Sequence, residues 1–276
     1  MFHTDLHCHS TISDGLLTPA DVVTRAVNNG VSLLALTDHD SCDGFFMARE
    51  AAFTSGIRLI SGAEISILWN TLQVHIVGLN FDEGNETLAK GLESIRLGRI
   101  GRAKRMAAAL NDIGISGCFE GAMRHVKTPN LIGRSHFARY LVERGICKDV
   151  HSVFESYLVP GKSGYVTHQW ITLEEAIGWI VGAGGVAVIA HPCRYKFSRT
   201  DLKRLFDEFK SLGGRGIEIV SGAHSAGSIN SFAQLARDYG FLVSCGSDFH
   251  GPDESFVDIG HTPRLPAGLT PIWEAF

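Results

Sequence analysis

Near its start the chain reads Asp5-Leu6-His7-Cys8-His9, and then Ser13-Asp14-Gly15. Imidazoles and carboxylates at that density are the ligand set of a divalent cation. On an extended chain a spacing of two puts His7 and His9 on one face and Cys8 on the other. The thiol is therefore expected to pack and the imidazoles to coordinate. The same residue types recur in Thr37-Asp38-His39-Asp40, in Gly62-Ala63-Glu64, at His75, in His191-Pro192, and in Gly246-Ser247-Asp248-Phe249-His250. Each has an ordinary reading alone: a single histidine at a strand end is more often a hydrogen-bonded structural residue, and Asp or Ser there often caps a helix. That reading does not explain their recurrence at nearly every strand end. His7, His9, His39, His75, His191 and His250 with Asp14, Glu64 and Asp248 are too many for one ion. At roughly three to four protein ligands per catalytic ion they call for two or three. Nitrogen and oxygen donors without thiolate suit Mn²⁺, Zn²⁺ or Fe²⁺ better than Ca²⁺.

The elements that must position these residues follow from the apolar pattern. Short runs rich in Val, Ile and Leu predict strands over residues 2–6, 32–36, 58–61, 74–79, 186–190, 216–220 and 242–245. Helical patterns lie between them. Thr18-Pro19 starts one with a cap and a proline at its first position, and Gly30 is placed to end it. Residues 172–181 and 200–212 read the same way. Repeated strand–helix units imply a parallel α/β sheet that closes as a barrel. Barrels of this kind build their sites at the strands' carboxyl ends. The pattern breaks between residues 80 and 164. There a long helix over 85–111, with Leu88, Leu92, Ile95, Ala103, Met106 and Leu110 on one face, precedes helices over 119–126, 133–143 and 150–158. Residues 160–164 are the return linker. The expected organisation is a barrel of residues 1–79 and 165–276 with a small all-helical insertion of residues 80–164.

Composition bounds the function. The chain has 276 residues, 45% of them apolar, and a formal charge of −4. That balance argues against wholesale coating of nucleic acid. The charge is uneven, however. Residues 81–164 carry 13 Lys/Arg against 9 Asp/Glu, and the remainder 12 against 20. A basic insertion in an acidic body fits an anion-facing wall beside a metal-binding barrel. The six cysteines form no C-x-x-C pair, as expected of reduced thiols in a cytoplasmic protein. No apolar run reaches the roughly 20 residues of a membrane span. No signal peptide, membrane contact or obligate protein partner is expected.

These motifs together resemble the PHP (polymerase and histidinol phosphatase) metallophosphoesterases along nearly the whole chain. Gly133-Arg134-Ser135-His136-Phe137-Ala138-Arg139, Gly161-Lys162-Ser163-Gly164-Tyr165-Val166 and Leu265-Pro266-Ala267-Gly268 are similar to a bacterial subgroup of nucleoside 3′,5′-bisphosphate phosphatases and the 5′→3′ exoribonuclease called RNase AM. The resemblance implies a distorted (β/α)₇ TIM-like barrel with an inserted helical domain. It implies a trinuclear centre in which His7, His9, Glu64 and Asp248 hold one ion. Glu64 bridges to a second ion held with His75 and His191, and Asp14, His39 and His250 hold the third. Manganese is the first expectation for these ions.

A multinuclear site makes hydroxide available near neutral pH and neutralises phosphoryl charge, so no Ser or Cys nucleophile is required. The catalytic group expected is a metal-bound hydroxide held by Glu64, Asp248 and His191. The run Arg96, Arg99, Arg102, Lys104 and Arg105 is expected to be largely a solvated helix face. Arg99 is the exception. With Arg134, His136 and Arg194 it is expected to contact substrate, guanidinium being suited to gripping a phosphate. The expected activity is hydrolysis of the 5′-phosphate ester of nucleoside 3′,5′-bisphosphates, with trimming of short 5′-phosphorylated RNA. The alternatives are a phosphatase of another small phosphomonoester, such as histidinol phosphate, or a non-enzymatic nucleic-acid-binding module.

Overall fold

The computed structural model describes residues 3–222 and 224–276. Phe2, expected at the start of the first strand, lies outside them. Strands β1 (Thr4–Asp5), β2 (Leu33–Ala35) and β3 (Arg58–Ile60) pair in parallel. A second sheet runs β4 (Gly62–Trp69), β5 (Leu72–Leu79), β6 (Val186–Ile189), β7 (Gly216–Val220) and β8 (Leu242–Cys245). The sheets meet at two isolated parallel bridges, Cys8 to Phe249 and His39 to Glu64. Leu6 N also donates to Cys245 O at 3.0 Å. The barrel thus closes along two seams, and both run through segments that carry ligand candidates.

The β4–β5 pair departs from the all-parallel expectation. The sequence marked only a strand end at Gly62–Glu64, yet β4 is eight residues long and antiparallel to β5, which is itself antiparallel to β6. Asn70 and Thr71 make the turn with φ of 45° and 69°. Positive φ at both central residues is what a two-residue type I′ hairpin requires. Its usual marker is Asn-Gly. A β-branched residue rarely adopts that conformation, so Thr71 hides the turn. Nearly all of β4 is buried on both faces, which removes the alternation that marks a half-exposed strand.

Several helices open on side-chain caps. Thr18 Oγ1 accepts from Asp21 N ahead of α1 (Pro19–Asn28), and α2 (Asp43–Ser55) stops at Gly56, whose φ is 74°. Asn85 caps α3 (Glu86–Asn111) through Leu88 N. The insertion continues with α4 (Cys118–Met123), α5 (Arg134–Glu143) and α6 (Val150–Val153), the last running into a π-helical turn over Phe154–Leu158. Thr172 and Glu175 form a capping box at α7 (Leu173–Gly182), and α8 (Arg199–Ser211) and α9 (Ala226–Tyr239) complete the set.

Helix α3 belongs to two cores. Leu88, Leu92 and Ile95 pack with barrel residues such as Ile65, Ile76 and Ile177, while Ala103, Met106 and Leu110 pack with Phe137, Leu141, Val153 and Leu158 of the insertion. Its Gly91 lies so close to Trp179 of α7 that a Cβ would sit 2.5 Å from the ring. One rigid rod therefore carries the geometry of the barrel into the insertion. No helix among the described residues is long and apolar enough to cross a membrane.

The seam between β8 and β1 is tight. A Cβ on Gly246 would meet His7 Cβ at 2.3 Å and His7 N at 2.4 Å. These are near-backbone atoms that cannot rotate aside. Gly246→Ala should destabilise the protein by about 1–3 kcal/mol, the usual range for overpacking. A denaturant midpoint equal to the wild type would show that the seam has slack.

Candidate metal centre

His7 and His9 leave the end of β1 on one face, and Cys8 between them turns away and gives its thiol to Ala35 O at 3.3 Å. Glu64 enters on the third residue of β4, and His75 lies opposite Ser66 on β5. His191 follows β6, and Asp248 and His250 follow β8. Asp40, His191 and Asp248 hold positive φ of 50°, 25° and 53°, which non-glycine residues sustain only where the surrounding structure enforces it.

Glu64 is the hub. Its Oε1 lies 2.7 Å from His75 Nδ1, 2.9 Å from His191 Nε2 and 3.4 Å from His7 Nε2. Its Oε2 lies 2.9 Å from His39 Nδ1 and 3.3 Å from His9 Nε2. Asp248 Oδ1 is 3.2 Å from His9 Nε2, and Asp14 Oδ1 is 3.5 Å from His250 Nε2. All nine expected ligands fall into four overlapping groups: His9-Asp14-His39-His250, His7-His9-Asp248, His7-Glu64-His191 and His39-Glu64-His75. Within each group the donor atoms lie within 4.8 Å of one another. His75 groups here with His39, and His191 with His7.

The donor set fits divalent ions on its unsatisfied atoms. His7 Nε2, His9 Nε2 and Asp14 Oδ1 are buried and form no hydrogen bond. Buried polar atoms are ordinarily paired, and these point instead toward shared space between them. Burial raises the Glu64 carboxyl, but His75, His39 and His7 outweigh it and hold it well below the usual carboxylate range. Burial likewise opposes ionisation of Asp248, and Arg194 with His7 overcomes it. Burial drives His75 down to about 4, the neutral state a metal ligand needs.

A second layer of carboxylates, absent from the expected site, orients the first. Glu218 sits in the middle of β7 and is buried. Its Oε1 is 3.1 Å from His7 Nδ1, and its Oε2 accepts His191 N at 2.6 Å. One carboxylate thereby fixes two ligands and leaves His7 Nε2 to face the cluster. Its signal was a lone acid inside the apolar run Gly216-Ile217-Glu218-Ile219-Val220. Asp38 accepts from Ser10 Oγ at 2.7 Å and Ser13 Oγ at 2.6 Å, pinning the loop that carries His9 and Asp14. Asp5 ties β1 to Ser247 N at 2.9 Å and Gly260 N at 2.8 Å.

A cleft of about 400 Å³ opens over the cluster. Asp14, His39, Glu64, His75, His191 and Asp248 line it, and Arg99, Arg102, Arg134 and Arg194 enter its walls. Arg99 is buried and pairs with Asp40 through Nε at 2.9 Å and through its terminal nitrogen. Arg102, expected on a solvated face, is buried instead, its guanidinium 5.1 Å from the Trp170 ring centroid. Positions 88, 92, 95, 99, 102, 103, 106 and 110 share the buried stripe of α3, so helical spacing could have found Arg102. Arg134 lies over Phe154, and neither it nor Arg102 forms a salt bridge among the described residues. Arg194 NH1 lies 2.5 Å from Asp248 Oδ2. His136 differs from its expected role. It is buried, and its Nδ1 accepts Gly133 N at 3.0 Å, so it holds the start of α5 rather than forming the cleft wall.

Glu218→Gln tests the second layer. The amide keeps one acceptor where the carboxylate serves two donors, so either His7 or His191 N loses its partner. The variant should stay folded and bind Mn²⁺ about 10–100-fold more weakly, the usual effect of removing such a support. Unchanged affinity in a metal titration would mean that Glu218 does not set the ligands.

The PHP domain family matches residues 5–220. A 3′,5′-nucleoside bisphosphate phosphatase of Chromobacterium violaceum is 52% identical over 99% of this chain and 96% of its own length. A 5′-3′ exoribonuclease, Rnm, of Escherichia coli is 42% identical over 98% of this chain and 92% of its own. A solved structure from Chromobacterium violaceum, described as an amidohydrolase with bound sulfate and no metal, superposes with a TM-score of 0.95 at 52% identity, covering 99% of this chain and 95% of that one. On the match along its length and on the imidazole–carboxylate cluster that its barrel assembles, this chain belongs to the PHP family.

Proposed function

We propose that this chain is a metal-dependent phosphatase that removes the 5′-phosphate of nucleoside 3′,5′-bisphosphates. One observation carries the reading: a single cleft holds the metal-ligand cluster and two arginines, Arg102 and Arg134, without a carboxylate partner among the described residues. A substrate with two phosphates matches a site with two kinds of phosphate-binding chemistry. The named activity of the Chromobacterium relative supports the same substrate class. Trimming of RNA from its 5′ end is a second activity of the same site, favoured by the match to the Escherichia coli exoribonuclease.

Divalent ions held by the nine ligands, Mn²⁺ foremost, supply Lewis acidity to the phosphoryl oxygens and lower the pKa of the water they bind. The chain's own residues do the rest. Glu218 fixes the ring of His7 and the backbone of His191. Arg194 stands beside Asp248, where its guanidinium offsets phosphoryl charge. Arg134 and Arg102 grip the phosphate that does not react. Burial pushes the Arg102 guanidinium down, to about 9, and Arg134 and Arg99 push it the same way. A bound dianion relieves that crowding of positive charge.

Protein loaded with Mn²⁺ and assayed on a panel of nucleotides and 5′-phosphorylated oligoribonucleotides should release phosphate or mononucleotides. Turnover on histidinol phosphate alone would overturn the nucleotide reading. Elemental analysis should find about two to three ions per chain, given three to four protein ligands for each. One ion or fewer in fully active protein would exclude the multinuclear arrangement.

Arg134→Ala should leave metal content unchanged. Losing charge-assisted contacts removes about 1.5–3 kcal/mol, a fall in kcat/KM on the order of 10- to 100-fold. The fall should be large on 3′,5′-bisphosphates and small on 5′-monophosphates. Equal losses on both would assign Arg134 to the reacting phosphate instead, and no loss on either would refute the contact.

A further inference from the structure

The cleft has an aromatic rim that the metal chemistry does not use. Phe256 is 84% exposed, yet it lines the cleft, with His151 and Phe154 of the insertion. Its ring centroid is 6.0 Å from that of His151, at an interplanar angle of 80°. Such exposure of a phenyl ring ordinarily marks a mobile tip. Here the preceding residues are pinned. Ser255 Oγ accepts His250 N at 2.7 Å and Gly251 N at 3.3 Å. Glu254 takes Arg139 Nε and NH2 at 2.7 Å each, in a mostly buried pair. Phe256 is therefore held at a fixed place beside ligand candidate His250.

We propose that Phe256, with His151 beside it, is the nucleobase-stacking platform of this site. The inference rests on the nucleotide reading above and adds the element that binds the base. Exposure runs from 1% at Glu64 to 84% at Phe256. One cleft thus reaches from a buried carboxylate to an exposed aromatic ring, and the guanidiniums of Arg102 and Arg134 share its lining. Phosphate and base follow the same order in a nucleotide that enters phosphate first. Phe154 serves the inner end, since the Arg134 guanidinium rests 5.5 Å from its ring centroid. Every base has a π-face, so stacking on a phenyl ring accepts any of them. The platform binds nucleotides as a class and favours purines through their larger overlap. Phe53, at 90% exposure, makes the contrast, since it lies on α2 and lines no part of the cleft.

The test compares wild type, Phe256→Ala and Phe256→Trp on adenosine 3′,5′-bisphosphate and on ribose 3,5-bisphosphate, which has no base. Phe256→Ala should lose about tenfold in kcat/KM on the adenosine compound, within the usual range for one stacked base. The difference between the two proteins should vanish on the ribose compound, and Phe256→Trp should retain wild-type rates. Calorimetric binding of adenosine 5′-monophosphate should weaken by a similar factor in Phe256→Ala. Equal loss on both substrates, or none on either, would overturn the platform. The wild type separates this idea from the nucleotide reading. If it binds the monophosphate through Phe256 but hydrolyses neither bisphosphate, the platform stands and the phosphatase assignment falls. If it hydrolyses both bisphosphates equally well, the phosphatase assignment stands and the platform falls.

Discussion

Five imidazoles surround one buried carboxylate, Glu64, at distances of 2.7–3.4 Å. Its two oxygens cannot accept from all five rings in good geometry, and several ring nitrogens are left without a hydrogen bond. In a low-dielectric interior such a cluster is a standing demand for positive charge. The barrel is built around that demand. Glu64 is itself a seam residue, paired to His39 across the junction of the two sheets. The other seam, between Cys8 and Phe249, adjoins His7, His9, Asp248 and His250. Closing the barrel and assembling the ligands are the same event.

The insertion takes part in the site without supplying a ligand candidate. Ser135 Oγ, at the start of α5, donates to Asp14 Oδ2 at 2.7 Å, and Arg139 donates to Asp14 O while holding Glu254. Arg99 on α3 secures Asp40, whose other oxygen accepts Ser66 N at 2.7 Å. Helices that present cationic side chains to the cleft thus also brace the loop carrying Asp14 and the strand carrying Glu64. A shift of the insertion would move both the cationic wall of the cleft and the ligand candidates. The two functions share one framework, and this accounts for burying Arg99, Arg102 and Arg139 where a solvated face would have been simpler.

Backbone strain is found beside the ligand candidates as well as in the β4–β5 turn. Asp40, His191 and Asp248 occupy positive φ, a conformation that a glycine would adopt more easily. Each follows a strand and turns its side chain or backbone back into the cluster. The hydrogen bonds from His191 N to Glu218 and from Ser66 N to Asp40 hold these turns in place. Stability is spent here on position, as expected for a site whose ligands must stay fixed while a charged substrate enters.

The nine ligand candidates were legible in the sequence because their signals are local. A spacing of two fixes the faces of His7 and His9, strand ends announce themselves by apolar runs, and caps such as Thr18, Asn85 and Thr172 mark where helices begin. The alternation of strand and helix indicated an α/β barrel for the same reason. Tertiary structure decided what depends on partners far along the chain. Glu218 meets His7 across 211 residues, and nothing near it in sequence says so. The direction of β4 rests on a turn whose Thr71 gives no warning, and on burial that erases alternation. Arg102 read as surface because arginine usually is, but the stripe of α3 carries it inward toward Trp170. His136 read as a substrate contact, but its ring accepts Gly133 N at the start of its own helix. Residue type and spacing follow from bonds along the chain and can be read there, whereas burial and pairing are set by which surfaces meet when it closes.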